Sequence, residues 1–441
     1  MPSQIREWPA WAEYTSEGEK EAEDPEFLAT KKAVIAEYGA EALRRSWIKV
    51  CNDLRAITDE IAEKGNTIIP VFDTAEVLQS GFTEAQQEEI RRIGTFICRG
   101  TIAEDETKAL YSNLKNFLAD NEGSIQAWPK ESPSMLILYN SPTQNTLRAH
   151  PRHLQLQRKL NELWHDSTGE SSSGPLVYLD GVRDRGPGVP FLGLGPHIDA
   201  GSLCRWADPT YRKVYGSIFS GNPEKFDPYD MSIRKDADQA LYEGVAHSRV
   251  LRTFQGWTAL TPTAPREGTI MMYPNLKAAI AYMLLRPFFR PPTDPNVDLM
   301  NAENWTLDDA SGWFPGTFKS QSQRLSRASH PHLRLEECLV HVPAVSAGDT
   351  VWWHCDLCHA VDTEHLGNHN ASVAFIASCP TTRVNEEYVK RQLAATLEGR
   401  PAPDYAEGNN LDETKLKGYV GLDNLGADAF RAFGFYLLDG V

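Results

Sequence analysis

The chain has 441 residues, and its 60 acidic against 44 basic side chains leave a formal net charge of −16. A surface that acidic repels phosphodiester backbones and anionic lipid, which argues against nucleic acid and membrane surfaces as partners. The longest apolar run, 278–285, is too short to span a bilayer, and the seven cysteines suggest no secreted disulfide framework. The opening MPSQIREWPAWAEY shows no basic-then-apolar leader, so a cytoplasmic protein with a small-molecule ligand is expected.

In chain order, Phe27, Val34, Tyr38, Leu43, Trp47, Val50, Leu54 and Ile57 recur at near-helical spacing, with Gly39 as a break. Thr83 followed three residues later by Gln86 predicts a capped helix over 83–93. The segment TFICRG then reads as a strand, and 103–118 as a helix with Asp105 and Glu106 in its first turn. Beyond this the chain is rich in short β-like runs, at 134–139, 175–180, 250–254, 269–274, 338–345, 350–354 and 371–378. A loop is predicted over 167–174. One helix is predicted over 275–286, capped by Asn275 and stopped by Pro287. Strands separated by loops rather than by regular helices favour a sandwich or barrel. The expected organisation is a helical region over 1–92 packed on a β-rich domain over 93–441, with insertions near 206–250 and 287–337.

Two motifs carry chemistry. In His197-Ile198-Asp199 the imidazole and the carboxylate are two apart, so on a strand they point to one face. They would supply two of the three ligands of a non-haem Fe(II) facial triad, the third being a histidine from another strand. Taken alone, His-x-Asp also fits a surface turn. The second motif runs from Gly348-Asp349 through an aromatic strand to His354-Cys355-Asp356-Leu357-Cys358-His359. His354 and His359 are five apart, so a regular strand puts them on opposite faces. Cys355 and Cys358 could bind zinc or cycle as a dithiol, but their place between aromatic residues favours buried, inert thiols. Gly-x-Ser-x-Gly, Walker and dinucleotide fingerprints do not occur.

The order His-x-Asp, Gly-Asp turn, then an aromatic strand ending in a histidine resembles the Fe(II)/2-oxoglutarate-dependent dioxygenases. The run from Phe254 to Leu260, with Pro265-Arg266-Glu267-Gly268-Thr269, is similar to their phytanoyl-CoA hydroxylase branch. HIDAGSLCRW, FQGWTALTPTAPREGT, LLRPFF and GDTVWWHCDLCHAV together resemble a fungal and bacterial oxygenase-like family. The likeness extends from about Ile93 to Pro380. It implies a mainly β fold with helices (α+β), a double-stranded β-helix or cupin-like jelly roll beneath the N-terminal helical layer. It also implies Fe(II), 2-oxoglutarate as cosubstrate and O2, with His197, Asp199 and His359 as metal ligands. His354 becomes a core histidine or, with Trp257 and Asn370, a support around the metal. Some fungal members form aziridines from aliphatic amino acids, which suggests valine as one substrate.

One expected element is missing. The phytanoyl-type pattern has an arginine eleven residues after the distal histidine, where this chain has Asn370. A planar, buried carboxylate calls for a guanidinium, so the candidates become Arg183, Arg185, Arg205 and Arg286. The expected function is oxidation of a C–H bond in a small polar molecule. The alternatives are a non-catalytic metal-binding sensor or scaffold, favoured by the missing arginine, and a zinc hydrolase, for which no general base is evident.

Overall fold

The computed structural model describes residues 4–15, 20–191, 194–244 and 247–438. Among these residues the strands form a nine-stranded sheet, a five-stranded sheet and a small pair. The larger sheet runs Val71–Asp73, Thr95–Arg99, Thr350–His354, Phe254–Ala259, Ala371–Thr381, Val182–Arg185, Met135–Leu136, Ala127–Trp128, with Ser172–Leu176 also pairing Ala371–Thr381. Its first pair is parallel and the others antiparallel. The smaller sheet runs Gln323–Arg324, His197–Ile198, His359–Val361, Ile270–Met272, Val340–His341. The expected mixture of strands and helices is met, but the expected jelly roll is not shown. The described residues form a mixed α/β structure with separate sheets and helices, and the strands close no barrel.

The central strand Phe254–Ala259 is buried along its whole length. It pairs with Thr350–His354 on one side and Ala371–Thr381 on the other, which is why its non-alternating sequence FQGWTA suits it. Gly256 is required here. A Cβ at this position would sit 2.6 Å from the Val351 carbonyl oxygen and 2.6 Å from the Trp352 ring.

The N-terminal helices Pro25–Tyr38 and Ala40–Lys64 are divided by Gly39 at φ 86°, as the spacing predicts. Trp47 is fully buried and stacks on Tyr282 and Phe289, at 5.3 and 4.7 Å between ring centres. The partner helix Lys277–Leu285 is buried from Ala279 onward, which accounts for its apolar sequence on every face. The cap over 83–93 forms as a full capping box on Glu84–Ile93. No helix of the described residues is long and apolar enough to cross a membrane.

Several predicted strands shorten, because side chains take the place of a neighbouring strand. Beyond Leu176 the backbone stays bonded, but Gln392 bonds Leu179 N–H and the Val177 carbonyl, and Arg148 donates to the Tyr139 and Asp180 carbonyls. The helices Pro142–Ala149, Pro151–Asn161 and Arg383–Leu397 were not anticipated. Ser141-Pro142 with Gln144 three residues after the serine is a capping signal that marks the first of them.

Candidate metal centre

The short strands His197–Ile198 and His359–Val361 are neighbours, and His197 and His359 face each other across them as cross-strand partners. Their ring centres are 4.2 Å apart and both side chains are buried. Each Nδ1 bonds a carbonyl two residues earlier, His197 to Gly195 at 2.8 Å and His359 to Leu357 at 3.0 Å. A carbonyl only accepts, so Nδ1 carries the proton in both rings and each Nε2 is bare. Asp199 stands between them, with Oδ1 3.3 Å from His197 Nε2 and Oδ2 3.4 Å from His359 Nε2. All three ligand atoms lie within 4.8 Å of one another. Acceptor atoms converging this closely suit a divalent cation between them, and two imidazoles with a carboxylate form the donor set of a facial triad. Burial and the neighbouring His359 hold the His197 pKa below the ordinary imidazole value, which keeps its lone pair available.

The larger sheet supplies the wall behind the trio. Gln255 Nε2 donates to Asp199 Oδ2 at 2.9 Å, and its Oε1 accepts from Trp353 Nε1 at 2.8 Å. Those two bonds fix which way the amide points. Trp353 also packs on His359, with ring centres 5.1 Å apart. After Asp199 the chain turns sharply, with Ala200 at φ 56° and Gly201 at φ 65°. A left-handed alanine costs about 1 kcal/mol, so something must hold it. Arg205 does so, donating to the carbonyls of Ala200 at 2.7 Å and Asp199 at 3.1 Å. Arg205 also pairs with the buried Asp356 at 3.4 Å, which Arg234 approaches at 2.7 Å and the Tyr215 hydroxyl at 3.0 Å. This network ties the turn after Asp199 to the segment that precedes His359.

Arg183 donates to the Gly268 carbonyl, and Arg185 to the carbonyls of Val189, Asp362 and Thr363, so both tie the backbone of neighbouring segments. Arg286 bonds the Ser329 and Phe289 carbonyls and lies over the rings of Trp305 and Trp313. Asn370 donates to Asp184. Trp257 is buried in the same strand as Gln255 and shares its face. His354 stacks on Trp164 at 4.8 Å and bonds the Pro228 carbonyl through Nε2, while its Nδ1 accepts from Asp356 N–H. Cys355 and Cys358 are free thiols with pKa values raised by burial. Gln255, Trp353 and Asp356 were missed in the sequence. A lone glutamine in an otherwise apolar central strand was the available signal.

A Gig2-like family profile matches residues 22–435. The chain belongs to the Gig2-like family. The uncharacterized protein YbiU of Escherichia coli (strain K12) is 28% identical over 430 residues, 92% of this chain and 97% of YbiU. The crystal structure of GlcNAc Inducible Gene 2, GIG2, from Candida albicans is similar at a TM-score of 0.83 and 28% identity, over 93% of this chain and 89% of GIG2. A Salmonella typhimurium LT2 structure, described only as a proposed oxidoreductase, has a TM-score of 0.79 and 25% identity, over 98% of this chain and 100% of that one. The α-ketoglutarate-dependent carbocyclase SnoK is far more remote, at 14% identity and a TM-score of 0.38 over 70% of this chain and 88% of SnoK.

Proposed function

We propose that this Gig2-like protein is a non-haem Fe(II) oxygenase that uses 2-oxoglutarate and O2 to oxidise a C–H bond of a small polar substrate. The observation that carries this reading is the trio of two bare Nε2 atoms and one carboxylate, oriented by backbone carbonyls and by Gln255. The Salmonella relative's description as a proposed oxidoreductase agrees with it. His197, Asp199 and His359 would hold the metal, which with an oxoacid and O2 supplies the oxidising power. This chain's own part is to orient those ligands, to exclude water with the Trp353 wall and to position the substrate. A small aliphatic amino acid such as valine belongs to the proposal through sequence resemblance alone.

The test is anaerobic addition of Fe(II) and then 2-oxoglutarate, watching for the weak visible charge-transfer band, followed by succinate release in air. His197→Ala, Asp199→Ala and His359→Ala should each remove most Fe(II) binding, and His354→Ala should retain it. Loss in His354→Ala with retention in His359→Ala would overturn the ligand assignment. A second reading, a metal-binding protein without oxygenase activity, draws on Asn370, whose amide faces Asp184 where the related pattern has an arginine. Fe(II) binding without a charge-transfer band or succinate would favour it.

A further inference from the structure

The strand that carries His197 has a second neighbour. Gln323–Arg324 pairs with it on the edge of the smaller sheet, and Arg324 stands directly opposite His197. Direct cross-strand partners carry their Cβ atoms about 5 Å apart on one face, so Arg324, His197 and His359 form a row across three strands. The Arg324 backbone is held. Its N–H donates to the Gly316 carbonyl at 2.7 Å, and its carbonyl accepts from Gln323 Nε2 at 3.1 Å. Its side chain is not held: among the described residues, the half-buried guanidinium makes no hydrogen bond, ion pair or ring contact. Glu13, on the N-terminal segment beside it, is taken by Arg327 at 2.8 Å and by Ala328 N–H at 3.1 Å. Arg324 lines a cavity of about 250 Å³ with Trp11, Tyr14, Gly195, Pro196 and Leu325. A Cβ on Gly195 would meet the Trp11 ring at 2.8 Å, so that ring is packed on the chain two residues before His197.

We propose that Arg324 binds the carboxylate of the substrate, a small aliphatic acid, and holds it beside the metal trio, an assignment that rests on the oxygenase reading above. A guanidinium whose donors are unmade calls for a planar anion that accepts two of them. Trp11, Pro196 and Leu325 around it suit an aliphatic chain. The cavity is smaller than the about 300–1,000 Å³ of drug-sized sites, which favours a ligand of few atoms. The register then fixes where that ligand lies. One strand spacing, about 4.8 Å, separates the Arg324 and His197 backbones, so an acid on this arginine lies beside the ligand row. A C–H bond that is to be oxidised must be held in that position.

Calorimetry on metal-free protein tests this with L-valine and 3-methylbutanoate, each compared with its carboxamide, which keeps the shape and removes the carboxylate charge. Wild type should bind at least one acid about tenfold tighter than its amide. Arg324→Gln should bring acid and amide together, and Arg324→Lys should keep part of the difference. Thermal unfolding and Fe(II) affinity should be unchanged in both variants, whereas a merely structural role would move them. Fe(II)-loaded Arg324→Gln should bind 2-oxoglutarate within about twofold of wild type, and a loss of about tenfold or more would assign the arginine to the cosubstrate and overturn the proposal. Failure of both acids to bind wild type, equal affinities of acid and amide, or a preference that survives in Arg324→Gln would overturn it too. If Fe(II) does not bind wild type, the oxygenase reading fails, while the metal-free titrations still judge whether Arg324 holds an acid.

Discussion

Gln255→Leu tests whether the wall behind the trio orients its carboxylate. The substitution keeps the bulk of a buried side chain and removes two bonds, the 2.9 Å donation to Asp199 and the 2.8 Å acceptance from Trp353. Leaving the buried Trp353 N–H unpaired should lower stability by about 1–3 kcal/mol. The Asp199 side chain is 31% exposed, so its bond is worth less than a fully buried charged one. Freed from it, the carboxylate must be ordered by the metal itself at about 1–2 kcal/mol, which weakens Fe(II) binding about 5- to 30-fold. Gln255→Glu separates the two effects. It keeps an acceptor for Trp353 but sets a second carboxylate against Asp199, so one of the two pKa values rises on folding. A raised carboxyl pKa stabilises at low pH and is lost as pH rises, so the metal-free Glu variant should melt progressively lower as pH rises through the carboxylate range. Anaerobic competition with a chromophoric Fe(II) chelator gives the affinities, and thermal unfolding gives the stabilities. If Gln255→Leu binds Fe(II) within about twofold of wild type, orientation of Asp199 by Gln255 is refuted.

Burial holds the His354 pKa at about 4, so the folded state stays neutral where the unfolded chain takes up a proton. Stability therefore rises with pH across that window, and between pH 7 and pH 5 wild type should lose about 2 kcal/mol more than His354→Gln in urea unfolding. Asp356→Asn leaves Arg205 and Arg234 without their buried counter-charge and should cost about 3–5 kcal/mol in the same assay. Its Fe(II) affinity should also fall, because Arg205 holds the Asp199 turn. With a net charge of −16 the protein should show no salt-sensitive affinity for a random duplex in fluorescence anisotropy.

The parts of this fold that were readable from sequence are those set by local pattern. Gly39, the Thr83–Gln86 cap and the aromatic strand Thr350–His354 appear as their residues predict. That His359 rather than His354 stands beside His197 was implied by the resemblance, strand parity having only set the two on opposite faces. What was not readable depends on partners distant in sequence. The run 175–180 reads as a strand, but its outer half bonds Gln392 and Arg148 rather than another strand. Arg183 and Arg185 lie two apart and share a face, and that face meets backbone carbonyls that no local pattern reveals.

The candidate trio also gives a reason for so many buried polar side chains to gather here. The strand that carries His197 is two residues long, and its pairing to the strand of His359 rests on one residue pair. A ladder that short cannot fix side chains to the few tenths of an ångström that metal coordination demands. Orientation is instead distributed over bonds of another kind. Each imidazole is held by a carbonyl two residues back, Asp199 by Gln255 from the opposite sheet, and the turn behind Asp199 by Arg205. Arg205 is anchored in turn on Asp356, three residues before His359, so the two motifs that carry ligands restrain each other through one buried ion network. The side-chain network supplies the rigidity that the missing strand length would otherwise have given.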